Sequence, residues 1–269
     1  MNVFFLGTGA AEGFPALFSR TPINREALCR GGKNLRLRSG ILVEETIRVD
    51  LCPDALAQVH KYPHRDLTAI EHLLFTHTHD DHFAARELQY LSCNFAPDRE
   101  EPLRIWASSE ALEKLHEETS HFFEPPPLRC CALEPFVEVP VGHLFVTPIT
   151  AHHRHDELCF NFIFRSGNTR LLYASDTGWY APETWEFLET VPLAGAIVEC
   201  GKGISESTYE GHLSLEECIA FKEKLMLKPG APFYLTHICH TGLLLHEELE
   251  ESCAPHGILV AYDGLEFSL

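Results

Sequence analysis

The sequence predicts a layered α/β protein formed by a single domain. The chain has 269 residues, of which 45% are hydrophobic, and this is enough to bury a large core in one domain. Short apolar runs typical of buried strands occur along its whole length, and segments with helical spacing lie between many of them. No fixed repeat, low-complexity tract or linker divides the chain, so we expect one domain over residues 1–269.

The N-terminal part is predicted to contain several buried strands and at least three helices. Residues 16–40 have no clear periodicity, and no element is predicted there. The predicted strands are 2–6, a hairpin formed by 41–44 and 46–50, then 72–75 and 103–107. The predicted helices are 54–60, 83–91 and 109–121.

The C-terminal part repeats this mixture of strands and helices. Ser214, with Glu217 three residues later, predicts a capping box at the start of one helix. The predicted strands are one or two within 136–149, a hairpin of 160–164 and 170–175, then 194–199, 232–236 and two within 257–268. The predicted helices are 182–190, 213–226 and 242–253.

A group of metal-type side chains follows the strand at 72–75. On a helix, residues i and i+2 point about 200° apart, whereas on an extended segment they share a face. The spacing therefore favours a loop at a strand end that holds two ions side by side, with ligand types suited to zinc, manganese or iron. The residues are His77, His79, Asp81 and His82.

Further along the chain, other predicted strands also end in metal-type residues. His152, Asp176 and His237 each follow an apolar strand, and rigid strands commonly position the loops that carry chemistry. Asp50, at the end of an earlier strand, is predicted to orient a metal-bound imidazole through its second nitrogen.

The glycine turn at residues 7–13 follows the first strand. Its G-x-G-x-x-x-G spacing differs by one residue from that of a dinucleotide-binding loop, and Phe14-Pro15 follows where a helix should begin. We therefore predict a tight loop whose glycines let the backbone approach the metal centre.

Charge and composition limit the partners of the protein. The net charge of −18 argues against binding long nucleic acid across the whole surface, because such binding depends on lysine and arginine. Six of the 21 basic residues lie between positions 20 and 38, beside the single acid Glu26. This basic segment is either an anion-facing lid over the active site or a surface loop paired with acidic neighbours.

The N-terminus and the cysteines predict a cytoplasmic location. The start lacks the basic residues of a signal peptide, and no stretch approaches the length of a membrane span. The ten cysteines are scattered without a CxxC pair, which favours reduced thiols. We expect no membrane partner.

The motifs resemble one known superfamily. HTHDDH, at 77–82, is similar to the HxHxDH signature of the metallo-β-lactamase fold superfamily. LGTGAAEGFP, LRLRSGILVE, YASDTG, GHLSLEE, LTHICHT and AYDGLEF resemble, in order and over nearly the whole chain, the PhnP-type phosphodiesterases, which are related to tRNA 3′-processing nucleases. The resemblance implies an αββα four-layer sandwich of two similar halves that meet near residue 150. It also makes a homodimer a family-level expectation.

The resemblance implies a site with two divalent metal ions, most readily zinc or manganese. One ion would be held by His77, His79 and His152, the other by Asp81, His82 and His237, and Asp176 would bridge both. His153 is the alternative to His152.

Outside the ligand set, the resemblance assigns roles to two further histidines. His212, in the GHLS motif, matches a catalytic histidine that binds no metal, and it is predicted to be catalytic together with Asp81. His240 is predicted to face the substrate. The PhnP-type enzymes carry cysteines for an additional structural zinc, but this chain has only Cys29 before residue 40, so we predict that the extra zinc is absent.

The predicted reaction is hydrolysis of a small or cyclic phosphodiester by in-line attack of a hydroxide bridging the two metals. His212 would supply a proton to the leaving alkoxide. Three alternatives remain open: a nuclease that processes RNA 3′ ends, a thioester or lactone hydrolase, and a metal-binding module without catalysis. No long insertion resembles the basic arm that the tRNA nucleases use.

Overall fold

The computed structural model, which describes residues 1–122 and 124–269, consists of two β-sheets packed face to face with helices on their outer faces. The strands are β1 (Asn2–Gly7), β2 (Gly40–Val43), β3 (Ile47–Val49), β4 (His72–Leu74), β5 (Leu103–Ala107), β6 (Leu128–Ala132), β7 (Val139–Val141), β8 (Leu144–Thr150), β9 (Phe160–Ser166), β10 (Thr169–Ala174), β11 (Gly195–Glu199), β12 (Phe233–Thr236), β13 (Leu259–Val260) and β14 (Glu266–Ser268). The α-helices are α1 (Pro22–Arg30), α2 (Ala55–Lys61), α3 (Ser109–Thr119), α4 (Pro182–Leu188), α5 (Leu215–Lys224) and α6 (His246–Cys253).

The two sheets have the same internal plan. The first has the order β14-β1-β2-β3-β4-β5-β6, and the second has the order β13-β12-β11-β10-β9-β8-β7. In each sheet an antiparallel meander is followed by parallel strands, which are β3 to β6 in the first and β10 to β13 in the second. The fold is therefore the αββα sandwich of two similar halves. The chain passes from one sheet to the other between Ala132 and Val139, earlier than the expected position near residue 150.

Apolar residues fill three layers of core. Between the sheets, Phe5, Phe162 and Tyr173 are almost fully buried. Beneath α4, α5 and α6 lies a second cluster that includes Trp185 and Phe221, and a third lies beneath α3. β11 is buried at every position because helices cover one face and the other sheet covers the second face.

Most predicted elements are present, and the capping box of α5 is formed by Ser214 and Glu217 as predicted. The predicted helix 83–91 is instead a 3₁₀ helix, Ala85–Leu91. The predicted helix 242–253 begins at His246, because Leu243 adopts a left-handed conformation after a 3₁₀ turn.

Two elements were not predicted from the sequence, α1 and β6. In α1 only Asn24 and Ala27 are buried, so the helix has no apolar stripe to reveal it. β6 is an edge strand with mostly exposed side chains, so it lacks the apolar run expected of a buried strand.

The basic segment is anchored to acidic side chains. Arg30 forms ion pairs with Glu247 and Glu248 of α6, and Lys33 pairs with Glu250. In the same way Arg38 pairs with Asp54, and Arg36 is buried against Thr8 and the carbonyl of Ala261. These contacts favour the second of the two alternatives, a segment paired with acidic neighbours.

Two further features concern the cysteines and the helices. Each of the ten cysteines carries a free thiol. Among the described residues, no helix combines the length and the apolar character that crossing a bilayer would require.

Candidate metal centre

The candidate site lies where several strands end at one edge of the sandwich. The carboxyl ends of parallel strands meet at the same edge of a sheet, and the loops that follow them lie close together. Asp50 follows β3, His77 follows β4, Asp176 follows β10 and His237 follows β12. The strand order thus gathers residues that are far apart in the sequence.

One cluster of ligand-type atoms contains three imidazoles and a carboxylate. Its members are His77, His79, His153 and Asp176, whose ligand atoms all lie within 4.8 Å of one another. Asp176 Oδ2 is 3.9 Å from His77 Nε2 and 3.6 Å from His153 Nε2. His79 Nδ1 lies 3.0 Å from His153 Nε2.

A second cluster lies directly beside the first and shares Asp176 with it. Its other members are Asp81, His82 and His237, again within 4.8 Å of one another. Asp176 Oδ1 is 3.2 Å from His82 Nε2 and 3.0 Å from His237 Nε2. The two oxygens of one carboxylate therefore face two different sets of imidazoles.

The preference for His152 as a ligand is corrected by the structure, which places His153 in the cluster instead. The backbone N–H of His152 donates to Thr177 Oγ1, and its carbonyl accepts from Gly178. The His152 ring lies beside that of His155, with the ring centroids 6.1 Å apart, and it joins neither cluster. His153 Nδ1 donates to the carbonyl of Gly211 at 2.9 Å, which leaves Nε2 directed at the cluster.

Asp50 lies where it was predicted, behind a cluster histidine. Its Oδ2 is 2.6 Å from His82 Nδ1, and its carboxylate also accepts bonds from the backbone and hydroxyl of Thr76. The carboxylate fixes the orientation of the His82 ring and makes its other nitrogen a better electron donor.

The charges of the centre favour ionised carboxylates. Burial raises the pKa of Asp176, but the neighbouring His237 and His82 outweigh this effect and lower it well below its usual range. Burial lowers the pKa of His82, yet Asp176, Asp81 and Asp50 together raise it well above its usual range. In His77 burial dominates and lowers the pKa well below its usual range. The buried carboxylates therefore keep their charge next to protonated imidazoles, and a bound cation would take the place of those imidazole protons.

Several buried ligand atoms in the two clusters form no well-oriented hydrogen bond among the described residues, although some lie 3.0 to 3.2 Å from an atom of opposite charge. A buried polar atom without a partner is costly, and few occur in folded proteins. Divalent cations, one in each cluster, would satisfy these atoms, and imidazole nitrogen and carboxylate oxygen are the donors that zinc and manganese accept. The donor set thus fits divalent metal ions. The atoms are Nε2 of His77, His82 and His237, and Oδ2 of Asp81.

His212 lies beside the second cluster, paired with a carboxylate that was not predicted from the sequence. Its Nδ1 is 2.6 Å from Oε1 of Glu199, which is fully buried and also accepts bonds from the backbone of Thr177 and Gly201. Burial lowers the pKa of His212, but Glu199 outweighs this effect and raises it. Glu199 lies at the end of the apolar strand 194–199, just as Asp50 lies at the end of an earlier strand. The criterion that identified Asp50 in the sequence would therefore also have identified Glu199.

A cavity of about 330 Å³ opens over both clusters. His212 and Glu12 line it, together with the cation of Lys202 and the phenol of Tyr209, none of which except His212 was singled out in the sequence. The remaining lining side chains include Ser205, Ser207, Cys239 and Thr241.

His240, predicted to face the substrate, is not among the side chains that line this cavity. The 3₁₀ turn directs it toward α1, where Nδ1 lies 3.0 Å from the amide of Asn24. Its Nε2 is 3.0 Å from Glu12 Oε1, so it contacts the cavity only through Glu12.

The glycines of the first loop serve a different purpose from the predicted one. A Cβ at Gly7 would lie 2.0 Å from the carbonyl oxygen of Arg38, so glycine is needed for packing against the basic segment. The loop reaches the cavity instead through the following residues, Ala10, Ala11 and Glu12.

Comparison with known proteins agrees with this geometry. A model of the beta-lactamase superfamily domain matches residues 45–238. No curated protein sequence matches the chain.

Solved structures share the fold at low sequence identity. A diphosphatase from the PhnP family has 19% identity and a TM-score of 0.79, with 100% of this chain and 97% of that one covered. Zinc-bound PqqB from Methylobacterium extorquens has 19% identity and a TM-score of 0.77, with 100% of both chains covered. The short form of human tRNase Z has 16% identity and a TM-score of 0.69, with 100% of this chain and 99% of that one covered.

The family match covers most of the chain, and the sandwich, the HxHxDH loop and the shared Asp176 all agree with it. The protein belongs to the metallo-β-lactamase fold superfamily.

Proposed function

We propose that the protein is a phosphodiesterase that uses two divalent metal ions to hydrolyse a small or cyclic phosphodiester to a monoester. The observation that carries this proposal is the position of Asp176, whose two oxygens face two adjacent sets of ligand atoms. His212, held by Glu199 beside those sets, adds a proton donor that does not belong to either of them.

The ligand assignment follows from the two clusters. His77, His79 and His153 would hold one ion, and Asp81, His82 and His237 would hold the other, with Asp176 shared. When bound, such ions supply a nucleophile from water at neutral pH and stabilise negative charge on phosphoryl oxygens.

Within this scheme His212 protonates the leaving alkoxide. Glu199 holds the ring by Nδ1, so that Nε2 is free to carry a proton toward the cavity. The raised pKa keeps His212 protonated at a higher pH than an ordinary histidine would be.

The size of the cavity suits a small substrate. Its volume of about 330 Å³ is in the range of sites for small molecules. The hydroxyls of Ser205, Ser207 and Tyr209 offer polar contacts to the part of the diester that is not attacked, and so does Lys202, whose ammonium also pairs with Glu217 at 2.8 Å.

A substrate screen coupled to metal analysis tests the proposal. Purified protein is assayed for bound zinc, manganese and iron, and then with a linear diester, a cyclic diester, a thioester, a lactone and a tRNA precursor. We expect about two ions per chain and the highest kcat/KM for a small diester. Thioester or lactone hydrolysis as the main activity would refute the proposal, and so would cleavage of the tRNA precursor alone.

The neighbouring histidines 152 and 153 provide a matched pair of variants. We expect His153→Ala to lower the bound metal by about one ion per chain, because it removes a ligand from the first cluster. His152→Ala should keep the metal content of the wild type, because the His152 ring joins neither cluster. Metal analysis after dialysis distinguishes the two, and the reverse pattern would restore His152 as the ligand.

A further inference from the structure

A second cleft lies at the opposite end of the sheets from the metal centre. It has a volume of about 350 Å³ and lies between β4, β5 and β6 of the first sheet and β7 of the second. The metal ligands follow the carboxyl ends of strands, whereas His72, Arg104 and Arg129 of this cleft lie at the amino ends of theirs. The cleft is therefore separate from the active-site cavity and shares no lining residue with it.

Two arginines lie side by side in this cleft. Arg104 and Arg129 are register partners on the adjacent parallel strands β5 and β6, and both side chains line the cleft. Like charges opposite each other on neighbouring strands repel, which is unfavourable without a compensating anion.

Neither arginine is neutralised within the described part of the chain. No carboxylate lies within 4.0 Å of either guanidinium there, in contrast to Arg30 and Arg38 of the basic segment, which both have acidic partners. Glu71 also lines the cleft, so two positive charges face one negative charge. In a protein of net charge −18, a cleft with a positive lining is a local exception that selects for anions.

The floor of the cleft is aromatic and neutral. Trp106 is partly exposed there, and its Nε1 donates to His72 Nδ1 at 3.1 Å. Burial, followed by the charge of Arg104, lowers the pKa of His72. An indole and a neutral imidazole beside two guanidinium groups match a ligand with one planar ring and one strong anion.

We propose that this cleft is a binding site for a phosphate monoester that carries a planar ring. The two guanidinium groups would grip the phosphate, since their forked N–H groups match its oxygens, and the ring would lie against Trp106. The site is distinct from the proposed catalytic centre and does not depend on the reaction that occurs there.

The test follows the indole N–H resonance of Trp106 in the full-length, metal-loaded protein during titration with phenyl phosphate. The chain has three tryptophans, so the resonance is assigned with Trp106→Phe. A signal from Trp106 reports on this cleft even if phenyl phosphate also binds at the metal centre. We expect a saturable shift for the wild type and none with phenol, which lacks the phosphate.

Arg129→Gln should weaken this binding by at least about tenfold, because it removes charge-assisted hydrogen bonds to phosphate. Arg129→Lys, which keeps the charge but loses the fork, should weaken it less. Arg86→Gln is the matched control, since it removes a positive charge from a side chain that is 80% exposed elsewhere on the surface, and it should bind like the wild type.

Other outcomes overturn the proposal. If Arg129→Gln keeps the affinity and the melting temperature of the wild type, the arginines do not bind the phosphate. An equal response to phenol would identify an apolar pocket. If Trp106 responds to a short single-stranded RNA but not to phenyl phosphate, the surface binds nucleic acid instead. If the Trp106 resonance does not shift in any titration, the cleft does not bind such a ligand.

Discussion

Replacing Asp176 with asparagine is expected to empty the metal centre and to reduce turnover by at least about 10³-fold, comparable to or larger than the loss of one preorganised electrostatic group. Both oxygens of Asp176 face imidazoles. Oδ1 lies 3.0 Å from His237 Nε2 and 3.2 Å from His82 Nε2, and Oδ2 lies 3.6 Å from His153 Nε2. An amide offers one oxygen and no charge, so neither cluster would keep its shared anionic ligand.

The asparagine variant should fold, which makes the test specific. Asp176 adopts a φ of +29°, a region that asparagine tolerates better than most residues, and the two side chains have nearly the same shape. Metal content per chain and kcat are the measurements, with a melting curve to establish folding.

Asp156→Asn is the control for this variant, because its carboxylate is 69% exposed and lies on the loop after His153 without joining either cluster. It should keep the metal and most of the activity. An Asp176→Asn protein that binds two ions and turns over at the wild-type rate would show that the shared carboxylate is not a ligand.

Strand ends explain which parts of the site could be predicted from the sequence. His77, Asp176 and His237 each follow an apolar run, so the residue types and the end of the strand together identify them. His152 and His153 both follow the same strand, and the choice between them depends on distant contacts, such as the bond from His153 Nδ1 to the carbonyl of Gly211, that no local pattern encodes.

Contacts with distant parts of the chain account for what was missed. Helix α1 is mostly polar, and Asn24 is buried because its side chain bonds to the backbone of Ala16. β6 forms by pairing with β5 along a sheet edge, with little apolar surface of its own. Elements that form through tertiary contacts, and not through a hydrophobic period of their own, cannot be predicted from the local sequence.

His212→Ala is expected to lower kcat by about 10²- to 10⁴-fold, the usual contribution of a positioned general acid, while both metal ions stay bound. The metal ions should stay bound because His212 lies beside the two clusters that share Asp176 but belongs to neither of them. The size of the loss should depend on the leaving group. A nitrophenolate leaves without a proton, so a nitrophenyl diester should lose much less than an alkyl diester with a basic leaving alkoxide.

An equal loss for both diesters would indicate that His212 binds substrate or supports the fold instead of donating a proton. Loss of metal in the variant would likewise contradict the assignment. Metal analysis and kcat for the two substrates therefore separate three roles that the position of the ring alone does not.

Glu199→Gln tests the proposed proton donation by His212, because it changes the carboxylate that binds the His212 ring. The Glu199 carboxylate raises the pKa of His212 against the effect of burial, and it lies 2.6 Å from His212 Nδ1. The uncharged amide should therefore lower that pKa, so that His212 loses its proton at a lower pH. For the alkyl diester, the alkaline limb of the pH–kcat profile is expected to move to lower pH. A purely structural defect would lower kcat by the same factor at every pH, and a general acid held by its carboxylate would not.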